Sequence, residues 1–389
     1  MTTRLRGRLS GYGYLPPGGG AGDLLIKLSD DDGDVGWSGI TDLQSAVNEQ
    51  PLVLLGEGTY QGPITINSLT ILQGAGTNSG VTEGSIINGA VNVESVQRVR
   101  LRDFGVVNSD STHPGVHTRS AYTDIDSVVV NCNSVGYGGF LFGDETALTT
   151  AQLSTADAWQ GTANNLRADD YTEYGIRVNS GGHTWELRNC SPRSTVDGAH
   201  GGYFNSPNVH VYGGQWGANN TGGRNLYWYN LRGGLLRGGS ANDVRFENVD
   251  PGEYAVEIDG NTRTFDNIML NRLAGNFTNG ITGTMTKFGR ARYCWLNHPV
   301  IETPTGGGTL CEWGANSVGC GVYCDYLAAT APIVVDPAAQ NATKVVYGAI
   351  TQADVANITV ASNLTTILVN GVIGQPGVFP FHNGTAWNF

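Results

Sequence analysis

One short motif recurs along this chain at a period that no ordinary globular core requires: an apolar residue, then Asn, then usually a small residue. It occurs as Ile66-Asn67-Ser68, Ile87-Asn88-Gly89, Val107-Asn108-Ser109 and Val130-Asn131-Cys132. It returns as Val178-Asn179-Ser180, Phe204-Asn205-Ser206, Tyr229-Asn230-Leu231 and Ile258-Asp259-Gly260, with Thr278-Asn279-Gly280 as a weaker last member. Successive matches lie 21, 20, 23, 48, 26, 25, 29 and 20 residues apart. The gap of 48 is close to two turns of 24, which places a degenerate turn with an insertion at 140–165.

A period in the low twenties with one strand-ending Asn per repeat predicts a parallel β-helix. A single coil cannot bury its own inner face, so coils stack ~4.8 Å apart and share one core. Asn at the bend tolerates left-handed backbone angles, and its amides can hydrogen-bond along the stack as a ladder. Side chains alternate along a strand, which assigns a facing to every residue before the Asn. Phe204, Tyr229 and Ile258 are expected inside, as are Gly202, Tyr227 and Val256. The residues two before the Asn face out: Thr65, Ile86, Val106 and Val129 first, then Arg177, Tyr203, Trp228 and Glu257. That outer column changes from apolar to aromatic and charged in the second half.

The composition agrees with strands and turns. Of 389 residues, 57 are Gly and only 14% are charged, while 40% are hydrophobic. No Gly-X-Y period runs through the chain, which excludes collagen, and the spread of apolar residues with low charge argues against disorder. A net charge of −12 would repel a phosphate backbone, so a nucleic-acid partner is not expected. No run approaches the ~18 apolar residues that cross a bilayer, so no membrane insertion is expected. Arg4, Arg6 and Arg8 are not followed by an apolar stretch of signal-peptide type. The six cysteines are too few for a disulfide scaffold. Cys294-x3-His298 and Cys320-x3-Cys324 lack the tight spacing of a zinc site, so buried thiols, no metal and no cofactor are expected.

Thr41-Asp42-Leu43-Gln44 fits a capping box, and Leu43, Ala46 and Val47 give a short helix its apolar face before Pro51. Residues 301–389 hold only six charged side chains, a texture suited to subunit burial. This reads as a separate C-terminal β module, or else as the solenoid running on to the end.

Residues 18–38 resemble a segment that recurs in bacteriophage tail-fibre and tailspike proteins, through Gly22, Leu25, Lys27, Ser29, Asp32, Asp34 and Trp37. Asp23 and Gly33 depart from the family, which has Gln and an aromatic more often there. As a calcium loop Asp30, Asp32 and Asp34 fail, because Val35 and Thr41 replace the required Gly and Glu. Residues 41–60 are similar to the helix and first strand that open pectate-lyase-like β-helices. The resemblance implies a right-handed, single-stranded parallel β-helix, assembled as a homotrimer. Its parts are a virion-binding head (1–40), a β-helix with a capping helix (41–300) and a C-terminal trimerisation or receptor module (301–389). It further implies a place in the virion, with assembly in the host cytoplasm. Arg4, Arg6, Arg8 and Trp37 would dock on a tail adaptor or nozzle protein, and the partner outside would be a bacterial surface polysaccharide.

Binding such a glycan needs aromatic faces for sugar rings and polar groups for hydroxyls. The column Arg177, Tyr203, Trp228 and Glu257 supplies both over roughly 14 Å, with Trp216, His200 and Tyr254 in the same turns. A subunit contact enriched in Tyr, Trp and Arg is the competing reading. Glycosidic hydrolysis needs two carboxyl groups about 5–5.5 Å or roughly 6.5–9.5 Å apart. Glu173, Asp197, Glu253 and Glu257 are the candidates, and hydrolysis is preferred to a lyase reaction, which would draw on Arg177 or Arg224. The reading reached is a tailspike that attaches the virion to host-surface polysaccharide and depolymerises it. The alternative is an adhesin that holds the glycan intact, and the tail-fibre segment speaks against a free bacterial polysaccharide-degrading enzyme.

Overall fold

The structure, a computed structural model, describes residues 24–27, 35–38, 43–68, 71–94, 97–144, 160–179, 184–218, 222–230, 236–247, 254–260, 264–275, 283–301, 309–324, 333–335, 343–347, 365–369, 372–373, 375, 377–383 and 386–388. Apart from one short helix, Leu43–Glu49, the described regular structure is strand, wound as a parallel β-solenoid of three sheets. The chain divides into two compact units, Met1–Thr146 with Gln152–Arg193, and Ala147–Ala151 with Ser194–Phe389.

One coil of the first unit shows the plan: Thr123–Asp126 lies in the first sheet, Val129–Asn131 in the second and Gly138–Phe142 in the third. Each strand pairs in parallel with its counterparts one coil away, as Ile125 does with Leu101 and Ala163. The sharp corner between the first and second sheets has a fixed form. Its first residue is left-handed, at Asp103, Ser127, Asn165 and Asn189 in the first unit, with φ between 53° and 57°. The second residue is apolar and buried: Phe104, Val128, Leu166 and Cys190. The second unit repeats the corner at Asp243, Arg272 and His298, with φ of 56°, 49° and 50°. The left-handed N–H donates to the strand-ending carbonyl of the next coil, for example Ser127 to Asn164 at 3.0 Å and Arg272 to Asn297 at 2.9 Å.

The asparagine motif is therefore real in part and mixed in part. Ile66 lies in a third-sheet strand while Ile87 and Val130 lie in the second sheet. Val107, not Asn108, is in register with Asn88 and Asn131. An amide ladder does exist, at the end of first-sheet strands: Asn271 donates to Asn242 at 2.8 Å, and Asn297 to Asn271 at 2.9 Å. The expected two turns between Asn131 and Asn179 are one turn, from Asn131 to Asp169, and one further strand, Tyr174–Val178.

The start of the first unit is closed by an antiparallel pair, Leu24–Lys27 with Val35–Ser38, whose first strand also pairs antiparallel with Leu52–Leu55. Thr41 and Asp42 of the expected capping box lie outside the described residues, and Gln44 makes a further link. Its amide bridges to the third sheet, donating to the Thr65 carbonyl at 2.8 Å and accepting the Thr65 N–H at 2.7 Å. Arg4, Arg6 and Arg8, the three aspartates Asp30, Asp32 and Asp34, and the side chain of Trp37 lie outside the described residues.

In the second unit the parallel winding runs past residue 300. Thr309–Trp313 stacks on Thr284–Phe288 and Ile333–Val335 on Thr309–Trp313, while Thr343–Tyr347 and Thr365–Val369 extend the first sheet. Phe204, Trp228, Ile258, Phe288 and Trp313 share one register row of the third sheet, and all are fully buried. Trp228 thus points inward, against the expected facing, and Tyr227 and Tyr229 point outward. The strand Arg224–Asn230 runs one residue out of step with the motif, since Tyr229 rather than Asn230 pairs with Asp259. Packing explains the choice: the large indole fills the core row beside Phe204, at 5.0 Å between ring centroids, while the phenols keep their hydroxyls near water. Trp216 is likewise buried, edge-on to Phe204. All six cysteines are buried free thiols.

This register makes a measurable prediction. Trp228→Ala removes a fully buried ring and should cost about 3–5 kcal/mol of unfolding free energy. Tyr227→Ala, on the outer face, should cost about 1 kcal/mol. Equal losses in denaturant titrations would contradict the register.

Candidate functional site: an aromatic platform on the third sheet

The outward residues of three successive strands in the second unit, His200–Phe204, Arg224–Asn230 and Tyr254–Gly260, build one platform. Tyr203, Tyr227, Glu257, Lys287 and Glu312 stand in one register row, one per coil. Beside it Tyr229 pairs with Asp259, and Arg224 pairs with Tyr254. Five rings meet here. His200 stacks near Tyr203 at 5.7 Å and lies 5.1 Å from Tyr227. Tyr203 is edge-on to Tyr227 at 5.5 Å, and Tyr227 stacks with Tyr229 at 4.9 Å. Tyr254 is linked to the group through cations, with Arg224 5.3 Å and Lys287 4.4 Å from its ring centroid. All five rings are half-buried, so they are fixed in place yet open to solvent.

Glu257 ties the cations down. Its side chain is 4% exposed, with Oε2 2.6 Å from Arg224 Nε and Oε1 3.1 Å from Lys287 Nζ. Burial works against the Lys287 ammonium, but the Glu257 carboxylate and hydrogen bonds to Glu257 and Tyr254 outweigh it and raise its pKa. Arg224 also donates through Nη1 to the Gly222 carbonyl and lies over Tyr227. With an oxygen engaged by each cation, Glu257 is a structural anion rather than an acid presented to a glycosidic bond.

His200 has a defined role in this network. The Arg224 backbone N–H donates to His200 Nδ1 at 3.1 Å, so the neutral ring carries its proton on Nε2. Burial, aided by the Arg224 charge and opposed by Glu257, lowers its pKa from 6.5 to about 4. Burial also raises the pKa of Tyr227 and Tyr229, reinforced by Glu257 and Asp259, so both phenols remain donors at neutral pH.

Glycines shape the edges. A Cβ on Gly201 would fall 2.6 Å from the Asn225 carbonyl oxygen, so only glycine lets these two coils approach. One on Gly289 would meet the Asp259 carboxylate at 2.9 Å, and Gly314 follows one coil on. Asp259 accepts the Arg290 N–H at 3.0 Å and leans over this bare strip; it is not a member of the asparagine ladder.

Of the candidates read from sequence, His200, Tyr203, Tyr254 and Glu257 come together here. Asp197 is exposed, in a turn whose Gly198 passes close to Gly222. Glu173 and Arg177 belong to the first unit, where Glu173 is exposed and Arg177 lies 5.4 Å from the centroid of the Tyr174 ring. Glu253 lies outside the described residues. Trp216 and Trp228 are core residues and offer no face to a ligand. Tyr227, Tyr229 and Lys287 were missed as site residues; the regular spacing of tyrosines at 227 and 229 was the available signal, obscured by the one-residue shift.

The His200 environment predicts a pH effect. The folded pKa lies below the unfolded one, so between about 6.5 and 4 the unfolded chain binds a proton that the fold refuses. Stability should therefore fall as pH drops through that window and level off below it. His200→Asn, which keeps an acceptor near Nδ1, should remove this part of the fall in thermal melts; an unchanged profile would exclude His200 as its source.

No protein-family model and no curated protein matches this chain. Among solved structures it is similar to full-length tailspike protein 2 from Escherichia coli O157:H7 bacteriophage CAB120, with a TM-score of 0.55 at 12% identity. The match covers 83% of this chain and 48% of that one, so this chain spans about half the length of the tailspike. A weaker match is the catalytic unit of a GH87 α-1,3-glucanase from Streptomyces thermodiastaticus strain HF3-3, with a TM-score of 0.36 at 14% identity, covering 79% and 59% of the two chains. At these identities the likeness is one of fold: the chain has the parallel β-solenoid architecture of a phage tailspike.

Proposed function

We propose that this chain is the glycan-binding part of a phage tailspike, holding a bacterial surface polysaccharide on the platform of His200, Tyr203, Tyr227, Tyr229 and Tyr254. The observation that carries the reading is a set of five half-buried rings on one outward face, four in mutual contact and Tyr254 joined to them through Arg224 and Lys287. Such rings offer flat apolar faces to the C–H side of pyranoses, with phenol and imidazole donors for hydroxyls. Three copies would assemble side by side, with residues 301–389 contributing to the contact. The segment 1–40, through Arg4, Arg6, Arg8 and Trp37, would attach to a tail adaptor.

Adhesion fits the platform better than cleavage, because both oxygens of Glu257 are engaged. One observation favours cleavage as a second reading. Asp259 stands beside Tyr229, over the bare strip at Gly289, and among the described residues only its Oδ1 is hydrogen-bonded.

The test is binding of a panel of bacterial surface polysaccharides, followed by chromatography of the glycan. Tyr203→Ala and Tyr227→Ala should each weaken binding on the order of tenfold with the fold intact. Unchanged affinity in both would reject the platform. Oligosaccharides released by the native chain but not by Asp259→Asn would establish the second reading.

A further inference from the structure

Resting on the platform as the glycan site, we infer that it selects neutral polysaccharides, and that Glu257 is the residue that sets this specificity by holding Arg224 and Lys287 in one ion-paired cluster. An acidic glycan, bearing uronate or sialate carboxylates, is normally held by cations free to form charge-assisted hydrogen bonds. Here Arg224 and Lys287 reach the platform, and Glu257 takes both. Arg224 gives Nε to the carboxylate and Nη1 to the Gly222 carbonyl, and its face lies against Tyr227 and Tyr254. Lys287 is shared between Glu257 and Tyr254. The carboxylate that pairs with both is itself buried, so solvent does not weaken the pairing as it would at an exposed site.

Glu257 cancels one of these two cationic charges, and the groups that the rings themselves offer a ligand are uncharged. Nε2–H of His200 is a donor on an uncharged ring, and burial keeps the Tyr227 and Tyr229 phenols protonated. Asp259 beside Tyr229 and Glu312 beside Lys287 add negative charge at the margin. Across the whole chain the net charge is −12, which repels a polyanion before it arrives. Rings, neutral donors and carboxylate acceptors together suit the hydroxyls and C–H faces of neutral hexoses, deoxyhexoses and N-acetylhexosamines.

The experiment compares matched glycans on the native chain. Uronate-bearing bacterial polysaccharides, the same polymers after carboxyl reduction to neutral sugars, and neutral surface polysaccharides are measured for binding at low and moderate salt. The expected result is binding of neutral or carboxyl-reduced polymers, with affinity changing less than about twofold between the two salt conditions. Preference for the acidic form, lost on reduction or in salt, would overturn the inference while leaving the platform as the glycan site. Binding of nothing, or binding indifferent to Tyr203→Ala and Tyr227→Ala, would overturn it together with the reading it rests on.

Glu257→Gln supplies the converse. Releasing two cations should create binding of acidic polymers, gained on the order of tenfold and sensitive to salt. If that variant does not fold, Lys287→Met serves: it leaves the Arg224–Glu257 pair balanced and must keep the neutral preference. A Glu257→Gln variant that folds and still rejects acidic glycans would refute the assignment of specificity to Glu257.

Discussion

Each coil of this solenoid gives its backbone hydrogen bonds to its neighbours, and that constraint decides everything displayed on the surface. The left-handed corners at Asp103, Ser127, Asn165, Asp243, Arg272 and His298 donate their N–H to the next coil, so those strands cannot slide without losing that bond. Because facing alternates with every residue, a slip of one position would turn the whole outer face into core. In the strand Arg224–Asn230 this puts Trp228 in the buried row with Phe204 and Ile258 and leaves Tyr227 and Tyr229 outside. The platform is a consequence of that register.

Within the platform, the centre is electrostatic. A carboxylate this well buried is tolerated only when its oxygens are satisfied, and Glu257 is satisfied by Arg224 and Lys287 from the coils on either side. The same cations lie against Tyr227 and Tyr254, and the Arg224 backbone fixes the His200 tautomer. One buried anion therefore orders side chains from four coils, which gives the rings a fixed arrangement before any ligand arrives. Preorganisation of this kind reduces the entropy lost on binding.

The solenoid was legible in the sequence because strands of stacked coils repeat their apolar rows, and Phe204 and Ile258 obey the asparagine motif. Coil length was less legible. The interval from Val130 to Ala168 is a single turn, and Asn179 lies one strand beyond it, where the motif suggested two full turns. The true corner signal was hidden as well. Its left-handed residue is Asn or Asp at 103, 165, 189 and 243, but Ser, Arg and His at 127, 272 and 298, where the stack imposes a conformation that those residues do not favour alone. At the site, Tyr203 and Glu257 were placed outward correctly, whereas Trp228 and Tyr227 exchanged roles. A motif ending in Asn230 cannot reveal that its strand is out of step by one residue; only the preference of a large indole for the core could have indicated it.

On the proposed function, the rings at 200, 203, 227, 229 and 254 face a glycan rather than another subunit. A crystal structure of the assembled protein with an oligosaccharide fragment of a polysaccharide it binds tests this most directly. The expected result is pyranose rings stacked over Tyr203 and Tyr227, with Glu257 still held between Arg224 and Lys287. A neighbouring subunit covering those tyrosines, with the sugar bound on another face, would contradict it.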